Sequence, residues 1–293
     1  MDFVTGLDFP EGPVILPDKS WLVVEMGSKT GCVTHISPDG KEKLKLPKTG
    51  RPNGLVVDND GILWVAESVM QALLRMTLDG EYDVWLTECN GLPFLFPNDL
   101  AFGPDGMLYM TDSGIRVDDF VPFNEVSSDY ARLKYDGRVY HIDVKTRKAN
   151  LVDRGFLFTN GIAFGPDDCL YVNETYSGNV YRYELKQGKF GPRQLFGNVI
   201  DPQAPPGWKG PDGMKFGLDG NLYVTVYGQG DVTVLNPQGS VIRRIKTTGK
   251  NPTNLAFGPD GEKRIYVTEV QTGVLERIDV DTSGFPLHQG DVP

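Results

Sequence analysis

The sequence predicts an all-β protein, a six-bladed β-propeller. Two observations predict it. One short unit recurs six times along the 293 residues, and in most copies an aromatic follows a polar opening residue at a fixed distance. Gly (35) and Pro (21) fall in short clusters between apolar runs, the texture of many short strands joined by tight turns.

The six units open PEGPVILPDKSWLVVE, PNGLVVDNDGILWVAE, PNDLAFGPDGMLYMTD, TNGIAFGPDDCLYVNE, PDGMKFGLDGNLYVTV and TNLAFGPDGEKRIYVTE. Their opening residues are Glu11, Asn53, Asn98, Asn160, Asp212 and Asn254. Eleven residues later four units place Trp64, Tyr109, Tyr171 and Tyr223; the last has Tyr266 after twelve, and the first has Leu22. A repeat spaced by 42 to 62 residues suits one blade per unit.

Within a unit the first strand is short and apolar (LAF, IAF, MKF). A G-P-D-G turn follows, where Asp and Gly supply the geometry. The second strand carries the aromatic. The third reads GRVYHIDV, NVYRYEL or GVLERIDV, and the fourth is weaker and polar, as in YDVWLTE and VIRRIKTT. Closing the ring needs one end of the chain to complete the last blade. Residues Phe3 to Gly6 are expected to do so, in preference to Pro286 to Gly290. No linker interrupts the pattern, so residues 1–293 are expected to form one domain.

A formal net charge of −10 argues against nucleic acid and anionic membranes, which need Lys and Arg to neutralise phosphate. No apolar run is long enough to cross a bilayer, and MDFVTGLDFPEG lacks the regions of a signal peptide. Three widely spaced cysteines, Cys32, Cys89 and Cys169, with no C-x-x-C pair, argue against a disulfide framework or zinc site and suit the reducing cytoplasm.

The first strands of a propeller line its central channel, so the six opening residues should converge at one end of it. A single Asn at a strand entrance is ordinarily a turn residue. Six polar residues facing one axis invite water or a cation. Glu11 and Asp212 bring two negative charges, and Asn98 and Asn160 can add neutral carbonyl oxygens. That oxygen-only set fits one divalent cation, Ca2+ best, with Mg2+, Mn2+ and Zn2+ as alternatives. The histidines offer no rival: His35 and His141 fall on a repeated, solvated place of the third strand, and His288 is near the C-terminus. The sequence contains no Ser-His-Asp or Cys-His arrangement and no phosphate-binding loop.

At these residues the chain resembles the family of gluconolactonase, senescence marker protein and luciferin-regenerating enzyme. The resemblance rests on F-P-E-G-P, P-N-D in blade three, T-N-G in blade four and G-P-D-G-M in blade five, and spans essentially the whole chain. It implies a six-bladed propeller with one divalent metal in the channel and, in many members, lactone hydrolysis. It implies Glu11, Asn160 and Asp212 as metal ligands, with Asn98 as a fourth ligand or a substrate contact. The propeller of diisopropyl-fluorophosphatase is similar and has an analogous cage, so phosphotriester hydrolysis is the alternative; a non-enzymatic binding propeller is a third reading.

Sugar-acid lactonases of this family often carry Arg two residues before the blade-three Asn. Here that place is Phe96; Phe158 holds it in blade four and Arg51 in blade two. With Phe94 and Trp208 expected near the rim, this implies a small-molecule lactone less polar than gluconolactone. The blade-three insertion, Gly114 to Asp136, joins strands two and three and so should lie on the metal face as a lid. It carries Phe120, Phe123, Tyr130 and Tyr135, and the matching loop of blade four carries Tyr176. The substrate-binding set is therefore Asn98, Phe96, Tyr176 and Trp208. Asp212 is expected to be both ligand and general base. Asp112, repeated as Glu25, Glu67, Glu174 and Glu269, is expected to be structural.

Overall fold

Six four-stranded antiparallel sheets follow one another along the chain in the computed structural model, which describes residues 1–122, 125–186 and 189–290. In blades one to five the strands lie in chain order. Blade four, for example, runs Thr159–Phe164, Leu170–Glu174, Asn179–Tyr183 and Gln194–Asn198. Blade six takes Pro252–Phe257, Arg264–Glu269 and Val274–Asp279 from the end of the chain, and its fourth strand is Asp2–Thr5. Thr5 lies opposite Val274 and Asp2 opposite Glu276, so the N-terminal segment closes the ring as expected.

The second strands (Trp21–Glu25, Leu63–Glu67, Leu108–Asp112, Leu170–Glu174) are buried at every residue, because neighbouring blades cover both faces. One such layer joins Leu22, Val24 and Val33 of blade one to Leu55, Leu63 and Leu74 of blade two. The repeated aromatic ties its strand to the turn before it. Tyr109 donates its hydroxyl to Asp105 at 2.8 Å, Tyr171 to Asp167 at 3.0 Å and Tyr223 to Asp219 at 3.3 Å; Trp64 donates its indole N–H to Asp58 at 2.9 Å. The spacing of eleven residues is the length of chain needed to bring that ring back over its own turn.

The acidic residue that ends the second strand in every blade but the fifth is structural. Asp112 accepts the main-chain N–H groups of Leu95, Phe96 and Gly114, and Glu174 accepts that of Leu157. These bonds fasten the entrance of the first strand to the exit of the second. Phe94 departs from expectation: it is fully buried between blades two and three, 5.0 Å from the Tyr140 ring, and is core and not rim. The three cysteines are buried and free, and no helix is long and apolar enough to cross a membrane.

Candidate functional site

The first strands of adjacent blades touch one another in a closed ring. In every blade the strand register slips at or beside the opening residue, between Pro97 and Leu100 or Pro211 and Met214 for instance. Such a bulge re-aims a side chain. The residue after the opening one is Gly in four blades, for a steric reason. A Cβ on Gly161 would sit 2.1 Å from the Asp212 main-chain oxygen, and one on Gly54 2.4 Å from that of Asn98.

Hydroxyls and amides of one blade then fix the entrance of the next. Thr111 Oγ1 donates to the Asn160 main-chain oxygen at 2.6 Å, Asn173 Nδ2 to that of Asp212 at 2.6 Å, and Thr253 Oγ1 to that of Pro10 at 2.8 Å.

This network also decides which way two amides point. Asn98 donates through Nδ2 to Ser113 Oγ at 2.9 Å, while Ser113 spends its own proton on the Thr159 main-chain oxygen at 3.0 Å. Asn160 Nδ2 likewise donates to Thr175 Oγ1 at 3.2 Å, and Thr175 donates to the Pro211 main-chain oxygen at 2.8 Å. Each hydroxyl can only accept from the amide, so the amide oxygens are turned away from it. Asn98 Oδ1 is buried without a partner, and so is Glu11 Oε2. Glu11 and Asn98 are each 3% exposed. Unpaired buried oxygens are costly, and a cation is one group that satisfies them.

Burial drives the Glu11 carboxyl well above the usual range, and the charges of Asp99 and Asp212 add to it. Asp212 is raised in the same way, by burial first and then by Asp99, with the Asn160 amide opposing. Asp99 was not anticipated from the sequence. It stands where four blades have Gly, and it makes its approach to blade four through a hydrogen bond, Oδ2 accepting the Ile162 N–H at 3.3 Å. Lys215, on the same strand as Asp212, pulls down both Glu11 and Asp99. Three carboxylates against one ammonium leave a double negative charge, which a divalent cation would balance. Among the described residues no cluster of three His, Cys, Asp or Glu is arranged as a metal site; the donor set that fits one here is two carboxylates, Glu11 and Asp212, with the amide oxygens of Asn98 and Asn160. Hard oxygen donors of this kind suit calcium.

The blade-three insertion folds back on itself, with Asp136 N–H donating to the Gly114 oxygen at 3.0 Å and Tyr135 hydroxyl to the Tyr130 oxygen at 2.7 Å. It includes one α-helical turn, Val117–Phe120, and one 3-10 turn, Tyr130–Arg132. Phe120 packs 4.5 Å from Phe158 and 4.8 Å from Trp208, Tyr130 lies 5.3 Å from Trp208, and Tyr176 6.2 Å from Trp208. The insertion is thus an aromatic cap joined to the loops two residues before Asn98 and Asn160. Phe123 lies outside the described residues. Phe96 needs correction as a pocket wall: at 2% exposure it sits edge-on to Phe158 at 5.8 Å, inside the cap's own core. Trp208 is half-buried, and Tyr176 is exposed at the cap's edge. His35 and His141 bond Ser20 and Asp105, on the blades' turns.

Residues 9–271 match the family described as SMP-30/Gluconolactonase/LRE-like region. The chain is 30% identical over 278 residues to the gluconolactonase of Zymomonas mobilis, covering 88% of this chain and 75% of that one. It is 31% identical over 229 residues to Lactonase drp35 of Staphylococcus aureus, covering 75% and 65%. Among solved structures, a gluconolactonase from Xanthomonas campestris superposes with a TM-score of 0.79 at 23% identity, covering 96% of this chain and 89% of that one. The calcium-binding protein regucalcin from Agrobacterium tumefaciens gives 0.78 at 18%, covering 99% of each. The structural likenesses speak for the propeller; on the family match and the Zymomonas relative, this chain belongs to the SMP-30/gluconolactonase/LRE-like family.

Proposed function

We propose that the protein is a metal-dependent lactonase, opening a lactone less polar than gluconolactone to its hydroxy acid. The observation that carries the reading is the pair of unpartnered buried oxygens, Glu11 Oε2 and Asn98 Oδ1, with Asp212 near enough to Glu11 for its charge to be felt. The relatives named gluconolactonase and lactonase support the reaction class. Glu11, Asn98, Asn160 and Asp212 would hold the cation, calcium first. When bound, it supplies a Lewis acid for a carbonyl oxygen.

The chain's own residues do the rest. Asp212 takes a proton from the attacking water at a carboxylate oxygen, a task an amide cannot perform. The proton then passes to the ring oxygen as the ring C–O bond breaks. Asn173 and Thr175 hold the Asp212 entrance in place. The cap excludes water and offers Trp208 and Tyr176 to the apolar part of the substrate; Phe96 supports it from within. An apolar lactone is favoured because the cap rings that keep exposure are Trp208 and Tyr176, while Phe96 and Phe158, buried behind them, bring no guanidinium to meet hydroxyls.

The test is proton release from a panel of sugar and non-sugar lactones, before and after chelation and on calcium return. Activity lost with chelator, restored by calcium and highest on non-sugar lactones is expected. Chelator-resistant activity would remove the metal from the reaction, and activity on phosphotriesters alone would replace the lactonase reading.

A further inference from the structure

Arg51 stands two residues before Asn53, at the blade-two place that Phe96 and Phe158 hold in blades three and four. Its main-chain N–H donates to Glu67, and its Nη1 donates to the Met26 main-chain oxygen at 3.1 Å. Its Nε is buried without a hydrogen-bond partner. Among the described residues no carboxylate forms an ion pair with it. Glu67, at the same strand entrance, already accepts the main-chain N–H groups of Arg51 and Met70. The Glu67 charge offsets the guanidinium only in part and from beyond ion-pair distance, and burial still lowers the Arg51 side chain to about 10.

Tyr227 is close enough to Arg51 and Asp212 to feel both charges. It ends the second strand of blade five, Leu222–Tyr227, and lies opposite Gly210. It occupies the place where blades three and four carry Ser113 and Thr175, the hydroxyls that pin the two amides. Burial first, then the charge of Asp212, pushes its phenol up to about 12 against the opposing charge of Arg51, so the hydroxyl stays a neutral donor.

We propose that Arg51, with Tyr227 at the corresponding end of blade five, binds an anionic group on the substrate: a lactone with one carboxylate on an otherwise apolar body. The inference rests on the lactonase reading. With Nη1 engaged by Met26, the edge carrying Nε is the one left to a ligand, and a guanidinium edge matches the two oxygens of a planar carboxylate. A dedicated cation also answers an electrostatic need. Lys215 and the divalent cation would balance Glu11, Asp99 and Asp212, so Arg51 is the charge left to hold an anion, on the blade-two side. The cap, built on blades three to five, takes the apolar end.

The experiment compares a γ-lactone bearing a carboxylate with its neutral carboxamide, at saturating calcium, in wild type, Arg51→Met and Arg51→Lys. Wild type should prefer the carboxylate in KM. Arg51→Met should raise the carboxylate's KM about ten- to a hundredfold, the value of a charge-assisted hydrogen bond, with kcat and the carboxamide's KM little changed. Arg51→Lys should recover part of the loss, having the charge without the fork. Equal effects on both lactones, or no preference in wild type, overturn the proposal. Should Arg51→Met fold poorly in a thermal melt, Tyr227→Phe serves instead, with a KM rise confined to the carboxylate expected. If wild type opens neither lactone, the lactonase reading fails on its own. Calorimetric binding of the same carboxylate then decides: binding lost in Arg51→Met upholds the anion site, and no binding, or binding unchanged in the variant, overturns it.

Discussion

The side-chain amide of Asn173 bridges two blades: its oxygen accepts the Gly161 N–H at 3.1 Å and its nitrogen donates to the Asp212 main-chain oxygen at 2.6 Å. One side chain on the second strand of blade four thereby fixes the bulge behind Asn160 and the entrance to Asp212. Asn173→Ala leaves two buried main-chain groups unpaired, at about 1–3 kcal/mol each. Calcium affinity is expected to fall about ten- to a hundredfold, as for groups that orient ligands. Denaturant melts and calcium titration check the two effects separately.

Asp212→Asn keeps the shape of the ring and removes the base. Turnover is expected to fall by about 10²–10⁴-fold at full calcium occupancy. Asn53→Ala, at an opening residue outside the proposed ligand set, should keep most of its activity. Wild-type turnover in Asp212→Asn with calcium bound would take the base role away from Asp212.

Ser113 bears on the orientation of Asn98. In Ser113→Ala the Asn98 Nδ2 and the Thr159 main-chain oxygen both lose their partner, so the amide is free to turn. A stability loss of about 1–3 kcal/mol is expected, with weaker calcium binding. Ser113→Thr keeps the hydroxyl and should restore much of both. Unchanged calcium affinity in Ser113→Ala would count against Asn98 as a ligand.

The raised carboxyls of Glu11 and Asp212 set the pH dependence of the metal-free protein. Between the ordinary carboxylate range, near pH 4, and their raised values, the folded state binds more protons than the unfolded one. Stability contributed by these protons is present at the acid end of that window and lost as pH rises through the folded values. The metal-free Tm should therefore drop on going from about pH 5 to about pH 8, other titrating groups apart. Calcium at a hundred times its Kd adds about 2.7 kcal/mol, and its affinity should be higher at the alkaline end, where protons no longer compete. Calcium titrations by calorimetry at both pH values check this; equal affinity at the two would remove Glu11 and Asp212 from the calcium site.

The blades and their opening residues were legible because a repeat fixes strand, turn and strand together. The locking of each aromatic to its turn acid is the physical content of that repeat. Amide orientation was not legible, since it depends on a hydroxyl fifteen residues later on another strand. A signal existed, though not a unique one: Ser113 and Thr175 follow the acid of the second strand in the blades that carry Asn98 and Asn160, as Ser68 does in blade two. Asp99 was passed over although it breaks the Gly pattern of Gly12, Gly54, Gly161 and Gly213, and Lys215 although its relatives are the apolar Val56, Ala101, Ala163 and Ala256. Phe94 and Phe96 misled because hydrophobicity alone does not say whether a ring faces a cavity or its neighbours.

The seam of blade six joins segments far apart in the chain: Thr5 lies opposite Val274 and Asp2 opposite Glu276. A ribosome adding roughly 5–20 residues per second leaves the Asp2–Thr5 strand single for some tens of seconds. Throughout that interval blades one to five can assemble in order, yet the ring stays an open arc with a bare strand at one end and none to meet it at the other. The channel around Glu11, Asn98, Asn160 and Asp212 takes its final diameter only when this clasp shuts, so its geometry waits on blade six.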